Sequence, residues 1–574
     1  VNRTFKHWLV ATGLLALIVA LLATQAGAQT AEPATLELIV GTVLDKQNQP
    51  VVDARVWLAN TGHEDVLVET ETQQDGRFAL PIADPYAEAF QKPLTLHVER
   101  HHFEPAMLDL TAEQVQEIAA LQSVVLPDIV LQRRVALGFW AAVGVFVLML
   151  VLIATSKMHN TLAALLGMAL VLTITYLGSL LIPDLYIFDF EHALQYIDWN
   201  VIFLIMGMMI FIAVVEGTGI FQWLAFFAYR VSGGRTWLLV LILMVITAIA
   251  SAILDNVTTM LLMTPITVQI ALALNMNPLA LLIPEVMASN VGGISTLVGT
   301  PTNILIGSYA GISFASFLVN LTPGVLLAMA GLVLYTELIY RRQLKQASSE
   351  VSPVLLKRLE ENARITQPGY LKKAGVVGLG MLLLFLFGEG FHLTPAVTAM
   401  MGATALLVWI RPNIEEMIEA VDWTTLVFFM ALFIGVGAIQ EVGLISAIAD
   451  TIAWLVGEDL VLAMLIITWL GAVLSTVIPN IPFTAAMLPV VGYLTTTISG
   501  AENLVLFFCL SVGSAMGGNG SLIGASANLV TAGISERAGY PITYMYFLKR
   551  GFPALLITVS LAMVWLLFRF LVLG

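Results

Sequence analysis

From residue 133 onward, apolar positions come in blocks long enough to cross a bilayer, which takes about 20 residues of helix. Val135–Thr155, Leu162–Leu181, Trp237–Leu254 and Phe552–Phe570 are the clearest, and they predict transmembrane helices. Residues 36–131 carry a different pattern. Apolar and polar positions alternate there, which predicts half-buried strands. "ELIVGTVLDKQNQPVVDARVWLAN" reads as strand, turn at Asp45–Pro50, strand, and "VETETQQDGRFALPI" as strand, Asp75-Gly76 turn, strand.

Four polar interruptions break the apolar blocks, and they come in pairs. "LDNVTTMLLMTPI" at 254–266 is matched by "IPNIPFTAAMLPV" at 478–490, and "GGISTLVGTPTNIL" at 292–305 by "GGNGSLIGASANLV" at 517–530. Asp198-Trp199, Gly219, Asn256 and Pro265 recur 224 residues later as Asp422-Trp423, Gly443, Asn480 and Pro489. Gly292, Gly293, Leu297, Gly299 and Asn303 recur 225 residues later as Gly517, Gly518, Leu522, Gly524 and Asn528. The chain from 133 is therefore an internal repeat.

Gly, Pro and Asn break helices and free backbone polar groups, which lipid does not tolerate unless protein or a wet cavity surrounds them. Interrupted segments at matching places of two repeats point to a transporter site at the repeat interface. The elements at 254–266 and 478–490 predict re-entrant hairpins, because tip and proline leave too short an apolar run to cross. Close packing of helices through small residues is the competing explanation for any single glycine.

Composition agrees with a membrane protein: 59% of the 574 residues are hydrophobic, 11% are charged, and the mean hydropathy is +0.90. Residues 29–130 hold 17 acidic and five basic residues, a net −12 of the chain's −14, so the acidity belongs to the strand-rich segment. Residues 1–28 read as a signal peptide: Arg3 and Lys6, an apolar run from Trp8 to Ala23, then Ala26-Gly27-Ala28. An uncleaved anchor helix fits the same pattern, and either one exports the 29–132 domain. The linker 343–373, rich in Arg and Lys, is cytoplasmic by the positive-inside rule and separates the repeats 133–342 and 374–574. The single cysteine, Cys509, excludes an internal disulfide. No third ligand accompanies His101 and His102 at metal-binding spacing, so no metal site is expected.

Ionisable residues at membrane depth are costly and are functional candidates by default. Asp255 and Glu285 are the candidates for coupling to a cation; a helix cap and a buried hydrogen bond are the structural alternatives. Glu216 and Glu441 fit interfacial positions, and Asp198 and Asp422 fit helix caps beside anchoring tryptophans. Lys and Arg are absent from 251–310 and 475–530, so an anion there would meet helix N-termini, amides and hydroxyls.

The four interrupted elements, with "EVMASNVGGISTLVGTPTNILI" and "SERAGYPITYMYFLKRGFP", resemble the ion transporter superfamily. The nearest branch holds arsenical pump permeases, the melanosomal P protein and citrate-transporter-like permeases; NhaD-type sodium/proton antiporters are more distant. The resemblance covers about 135–574. It implies an all-α polytopic fold of two inverted repeats, each with a re-entrant hairpin and a broken helix, preceded here by a small all-β sandwich. It implies substrate- and ion-binding positions at Asp255, Asn256, Thr258, Thr259, Asn290, Gly299, Thr300, Pro301 and Asn303. In the second repeat the positions are Asn480, Thr484, Asn519, Gly524, Ser526 and Asn528, with Gly299–Asn303 and Gly524–Asn528 as the unwound turns. Two departures stand out. The relatives often have Asp-Asn at both tips, where this chain has Pro479-Asn480 at the second. They often have G-D-P-P-N in the first broken helix, where this chain has Gly299-Thr300-Pro301-Thr302-Asn303.

The pattern G-x-V-x-D…P-V-x-x-A-x-V-x-L…D-G-x-F-x-L in 36–131 resembles the carboxypeptidase regulatory-like β-sandwich. The expected function is secondary active transport of an anion or oxyacid, such as a carboxylate or arsenite, across the plasma membrane. Na⁺ or H⁺ would couple it, without a cofactor and without nucleic acid. An NhaD-like Na⁺/H⁺ antiporter is the alternative, and a membrane-anchored sensor or binding module the third reading. No protease, hydrolase or P-loop motif is present, so no enzyme is expected. The resemblance further implies a homodimer, which no residue pattern here encodes.

Overall fold

The computed structural model describes residues 37–573 except 47–48, 62–64, 83–91, 120–122, 156, 347–359 and 362. The expected signal peptide, 1–28, lies outside the described residues, as does much of the linker. The chain divides into two units, Val1–Arg134 and Val135–Gly574.

In the first unit, β1 (Glu37–Asp45) pairs antiparallel with β4 (Arg77–Ile82) and parallel with β7 (Val124–Val125) and β8 (Ile129–Leu131). A second sheet has the order β3 (Val66–Glu71), β2 (Arg55–Asn60), β5 (Leu94–Glu99), β6 (Ala106–Asp109), all antiparallel. Helix α1 (Ala112–Ala119) precedes β7. The alternation that predicts strands is visible in β4, where Phe78, Leu80 and Ile82 are buried and Arg77, Ala79 and Pro81 are exposed. Those residues share one apolar core with Ile39 and Val43 of the same sheet and Val56, Leu58, Leu96 and Val98 of the other. Asp75-Gly76 forms the expected turn before β4, with Gly76 at φ +73° and Arg77 N donating to Asp75 Oδ1.

The second unit is helical. Its first half runs α2 (Leu137–Ala154), α3 (Asn160–Thr173), α4 (Phe190–Gln195), α5 (Trp199–Glu216), α6 (Ile220–Ser232) and α7 (Thr236–Ile253). It continues with α8 (Asn256–Ala273), α9 (Leu279–Gly293), α10 (Pro301–Ala310) and α11 (Phe314–Gln346). The second half follows the same succession: α12 (Pro368–Phe387), α13 (Pro395–Ile410), α14 (Ile414–Glu419), α15 (Trp423–Glu441), α16 (Leu444–Val456) and α17 (Leu460–Leu474). Then come α18 (Asn480–Thr497), α19 (Val505–Gly517), α20 (Ser526–Arg537) and α21 (Tyr544–Leu571). Among the described residues, nine helices are long and apolar enough to cross a bilayer.

The repeat read in the sequence is a repeat of helices. Asp198 caps α5 by accepting from Asn200 N and Val201 N, and Asp422 caps α15 by accepting from Thr425 N. Trp199 and Trp423 follow, both exposed at the helix start. The halves interlock reciprocally: α3 packs on α15 and α13 on α5, while α20 packs on α8 and α10 on α18. The equivalent helices α11 and α21 run antiparallel. Asn320, early in α11, accepts from Trp565 and Arg569, late in α21, whereas Tyr335, late in α11, donates to Arg550 O, early in α21. Equivalent helices pointing in opposite directions are what an inverted repeat produces.

Three boundaries differ from expectation. The apolar run after Asp255 does not stop at Pro265, because α8 continues through that proline to Ala273, and α18 likewise continues through Pro489. The unwound turns lie earlier than Gly299–Asn303 and Gly524–Asn528. They are residues 294–300 and 521–525, the second preceded by a 3-10 turn at Gly518–Gly520, and Pro301 opens α10 where its missing N–H costs nothing. The linker is shorter than 343–373, since α11 extends to Gln346 and α12 begins at Pro368.

Candidate functional site

The two broken helices are built from the same contacts twice. Thr296 Oγ1 donates to Ala252 O, and its counterpart Ser521 Oγ donates to Thr476 O. Each hydroxyl also accepts from a glycine three residues on, Gly299 N and Gly524 N, both at 3.1 Å. Asn303 Nδ2 closes the first loop on Ile294 O and Thr296 O, at 2.9 and 2.8 Å. Asn528 Nδ2 closes the second on Gly518 O and Ser521 O, at 2.7 and 2.9 Å. The freed carbonyls are thus satisfied by side chains, as buried backbone requires.

The glycines let this loop lie on its neighbour. A Cβ on Gly299 would stand 2.6 Å from Ser251 O at the end of α7, and one on Gly524 would stand 2.8 Å from Ser475 O after α17. Gly299 and Gly524, both expected site residues, bring the unwound backbone against the preceding helix.

The remaining amide oxygens cross between the halves. Asn303 Oδ1 accepts from Ser511 of α19 at 2.6 Å, and Asn528 Oδ1 accepts from Asn290 of α9 at 3.1 Å. Asn290 also donates to Asn519 Oδ1 and accepts from Asn256 Nδ2, each at 3.0 Å. Four expected site residues, Asn256, Asn290, Asn519 and Asn528, form one hydrogen-bonded chain across both repeats. All four are buried.

The other expected residues stand apart from this chain. Asp255 caps α8: its Oδ1 accepts from Thr258 N at 2.8 Å and its Oδ2 from Thr258 Oγ1 at 2.5 Å. Thr259 bonds the Asp255 carbonyl, and Thr484 bonds the Asn480 carbonyl. Asn480 N donates to Gly524 O at 3.3 Å, which ties the second tip to the second loop. Thr300 bonds Thr302, while Pro301 and Ser526 open their helices. Glu285, fully buried in α9, accepts from Thr247 of α7 at 2.9 Å.

Sequence reading missed several partners. Ser251 bonds Ser289 at 3.1 Å, and the equivalent Ser475 bonds Ser514 O at 2.7 Å. Both pairs recur at the repeat spacing and could have been read from it. Glu441 is not merely interfacial: it accepts from Tyr196 at 2.7 Å and faces His192 at 3.4 Å. Two cavities lie elsewhere in the helical unit, and none of the four asparagines lines either of them. One, of 230 Å³, is lined by Asn200, Leu297, Ser308, Ser313 and Glu389, and the other, of 420 Å³, by Glu216, Gln222, Pro265 and Gln269.

Residues 150–507 match the citrate transporter family. An uncharacterised transporter of Mycobacterium tuberculosis is 36% identical over 433 residues, covering 75% of this chain and 99% of its own length. The human P protein is 32% identical over 500 residues, 74% of this chain and 59% of that protein. The crystal structure of the YdaH transporter of Alcanivorax borkumensis superposes with a TM-score of 0.47 at 15% identity, over 71% of this chain and 98% of that one. The chain belongs to the citrate transporter family, and it is a membrane transporter rather than an enzyme.

Proposed function

We propose that the protein is a secondary active transporter of a small anion or oxyacid, driven by a Na⁺ or H⁺ gradient, with its site at the Asn256–Asn290–Asn519–Asn528 chain. The observation that carries this reading is that chain itself: neutral amides contributed by both repeats, one of them, Asn528, in the first turn of α20. Helix N-termini and amide N–H groups favour negative charge without an arginine clamp. The chain branches at Asn290, whose amide bonds Asn256, Asn519 and Asn528, so substrate entry exchanges these amide–amide bonds for amide–substrate bonds.

The tips at Asp255 and Pro479 belong to re-entrant hairpins in this reading, and movement of one repeat against the other opens the site to alternate sides. The basic ends of α11 and α21, with Arg341, Arg342, Lys549 and Arg550, lie in the cytoplasm of a plasma-membrane protein. The β domain is then extracytoplasmic, a carboxypeptidase regulatory-like module behind a signal peptide. The homodimer stays part of this proposal, testable by size and cross-linking in membranes.

The test is flux in proteoliposomes with citrate, succinate, sulfate and arsenite, each with and without Na⁺ and with a pH gradient. Uptake of one of these solutes that depends on the imposed gradient and fails in Asn290→Ala is expected. Sodium-driven proton movement that ignores every solute would replace this reading with a Na⁺/H⁺ antiporter.

A further inference from the structure

Among the described residues of the transport unit, Glu285 is the fully buried carboxylate for which the asparagine chain gives no use. Thr247 of α7 donates to its Oε1, while its Oε2 is buried without a hydrogen-bond partner. Thr267 Oγ1 of α8 is also buried and faces the same carboxyl, without hydrogen-bond geometry to it. No cation pairs with Glu285 among the described residues.

The helices against α9 bring it no charge. Helices α7 and α8 contain no ionisable residue, and α19 contains only Cys509. The acids and bases of α11, α20 and α21 begin at Glu337, Glu536 and Lys549, and none of them pairs with Glu285. The trio is also private to the first repeat: at the equivalent positions the second has Gly471, Leu510 and Val491, all apolar.

An ionised carboxylate buried without a cation carries a large desolvation cost. A protonated one is a neutral donor and acceptor. One added proton would let Oε2–H donate to Thr267 Oγ1 while Oε1 keeps Thr247, so both orphaned atoms are satisfied at once.

We propose that Glu285, Thr247 and Thr267 form a proton-binding site of this repeat, coupled to transport through α8 and α9. The step is –COO⁻ + H⁺ → –COOH, with no other bond made or broken. Two of the site's three helices also carry the asparagine chain: α8 carries Thr267 and Asn256, and α9 carries Glu285 and Asn290. A shift of α8 against α9 therefore alters both sites together. Asp255 is the weaker carrier, because Thr258 already occupies both of its oxygens.

The coupling role rests on the transporter reading; proton binding is measurable without it. Infrared titration of the full chain in sodium-free phosphatidylcholine vesicles reads the carbonyl band of a protonated carboxylic acid. We expect a band that persists at neutral pH, is missing in Glu285→Gln, is retained in Asp255→Asn and moves in frequency in Thr247→Val. A band indifferent to Glu285→Gln overturns the proposal. So does a wild-type band abolished by Na⁺ at constant pH, which would make this a cation site. If Glu285→Gln does not fold, the Thr247→Val shift decides: a moved band supports the site and an unmoved one overturns it. Failure of citrate, succinate, sulfate and arsenite to move would count against the transport substrate alone.

Discussion

Asn290 Nδ2 donates to Asn528 Oδ1 at 3.1 Å, and this bond ties the first repeat to the broken helix of the second. Asn290→Ala removes the hub of the chain and strands buried amide groups on Asn256, Asn519 and Asn528. Each unsatisfied group costs about 1–3 kcal/mol, and water admitted to the vacated space lessens the sum. The expected result is a lowered thermal midpoint in detergent together with loss of gradient-driven flux.

The glycines at the two breaks are predicted to behave as a matched pair. Gly299→Ala and Gly524→Ala each push a methyl into a backbone carbonyl, of Ser251 and Ser475 respectively. Overpacking of this kind costs about 1–3 kcal/mol. Gly144→Ala, on a helix with open space around it, is the control and is expected to leave the thermal midpoint unchanged or slightly raised. Similar midpoints for all three variants would contradict the packing role.

Acid sensitivity is predicted at the start of α15, outside the membrane-spanning segment. Burial disfavours the charged form of Asp422, but hydrogen bonds from Thr424 and Thr425 outweigh it and hold the carboxyl below its usual range. A lowered folded value means stability that is present above the usual carboxylate value and is lost as pH falls through the lower one. Asp422→Asn should flatten the decline of the thermal midpoint below about pH 4. An acid limb identical to wild type would show that the cap does not titrate there.

Orientation can be read with the single cysteine. Cys509 is fully buried, so the wild-type chain should resist a membrane-impermeant maleimide. Met107→Cys, at a position 71% exposed in the β domain, should label in intact cells. Lys372→Cys, at the exposed start of α12, should label only after permeabilisation. The reverse pattern would invert the topology.

How much was legible depended on whether a residue's role is local or distant. Asp198 and Asp422 act on the next few backbone amides, so a cap is readable from Asp-Trp at the head of an apolar run. The glycine and asparagine pairs were readable because the repeat shows each of them twice. Ser511 was not: its partner Asn303 lies 208 residues away and its counterpart in the first repeat is Val286. The run after Asp255 was read as short because a proline usually ends a helix. Helix α8, largely buried among its neighbours, instead continues through Pro265.

The reciprocal packing of α3 on α15 and of α13 on α5 has a consequence for biosynthesis. Neither half can complete its own interior, so a nascent first half must wait with α5 uncovered until α13 leaves the ribosome. At about 5–20 residues per second, the roughly 180 residues between Glu216 and Pro395 impose a delay of about 10–40 s. During that interval the polar groups of α8 and α9 lack their partners from α19 and α20. The period of greatest vulnerability for this protein is thus set by the length of its own repeat.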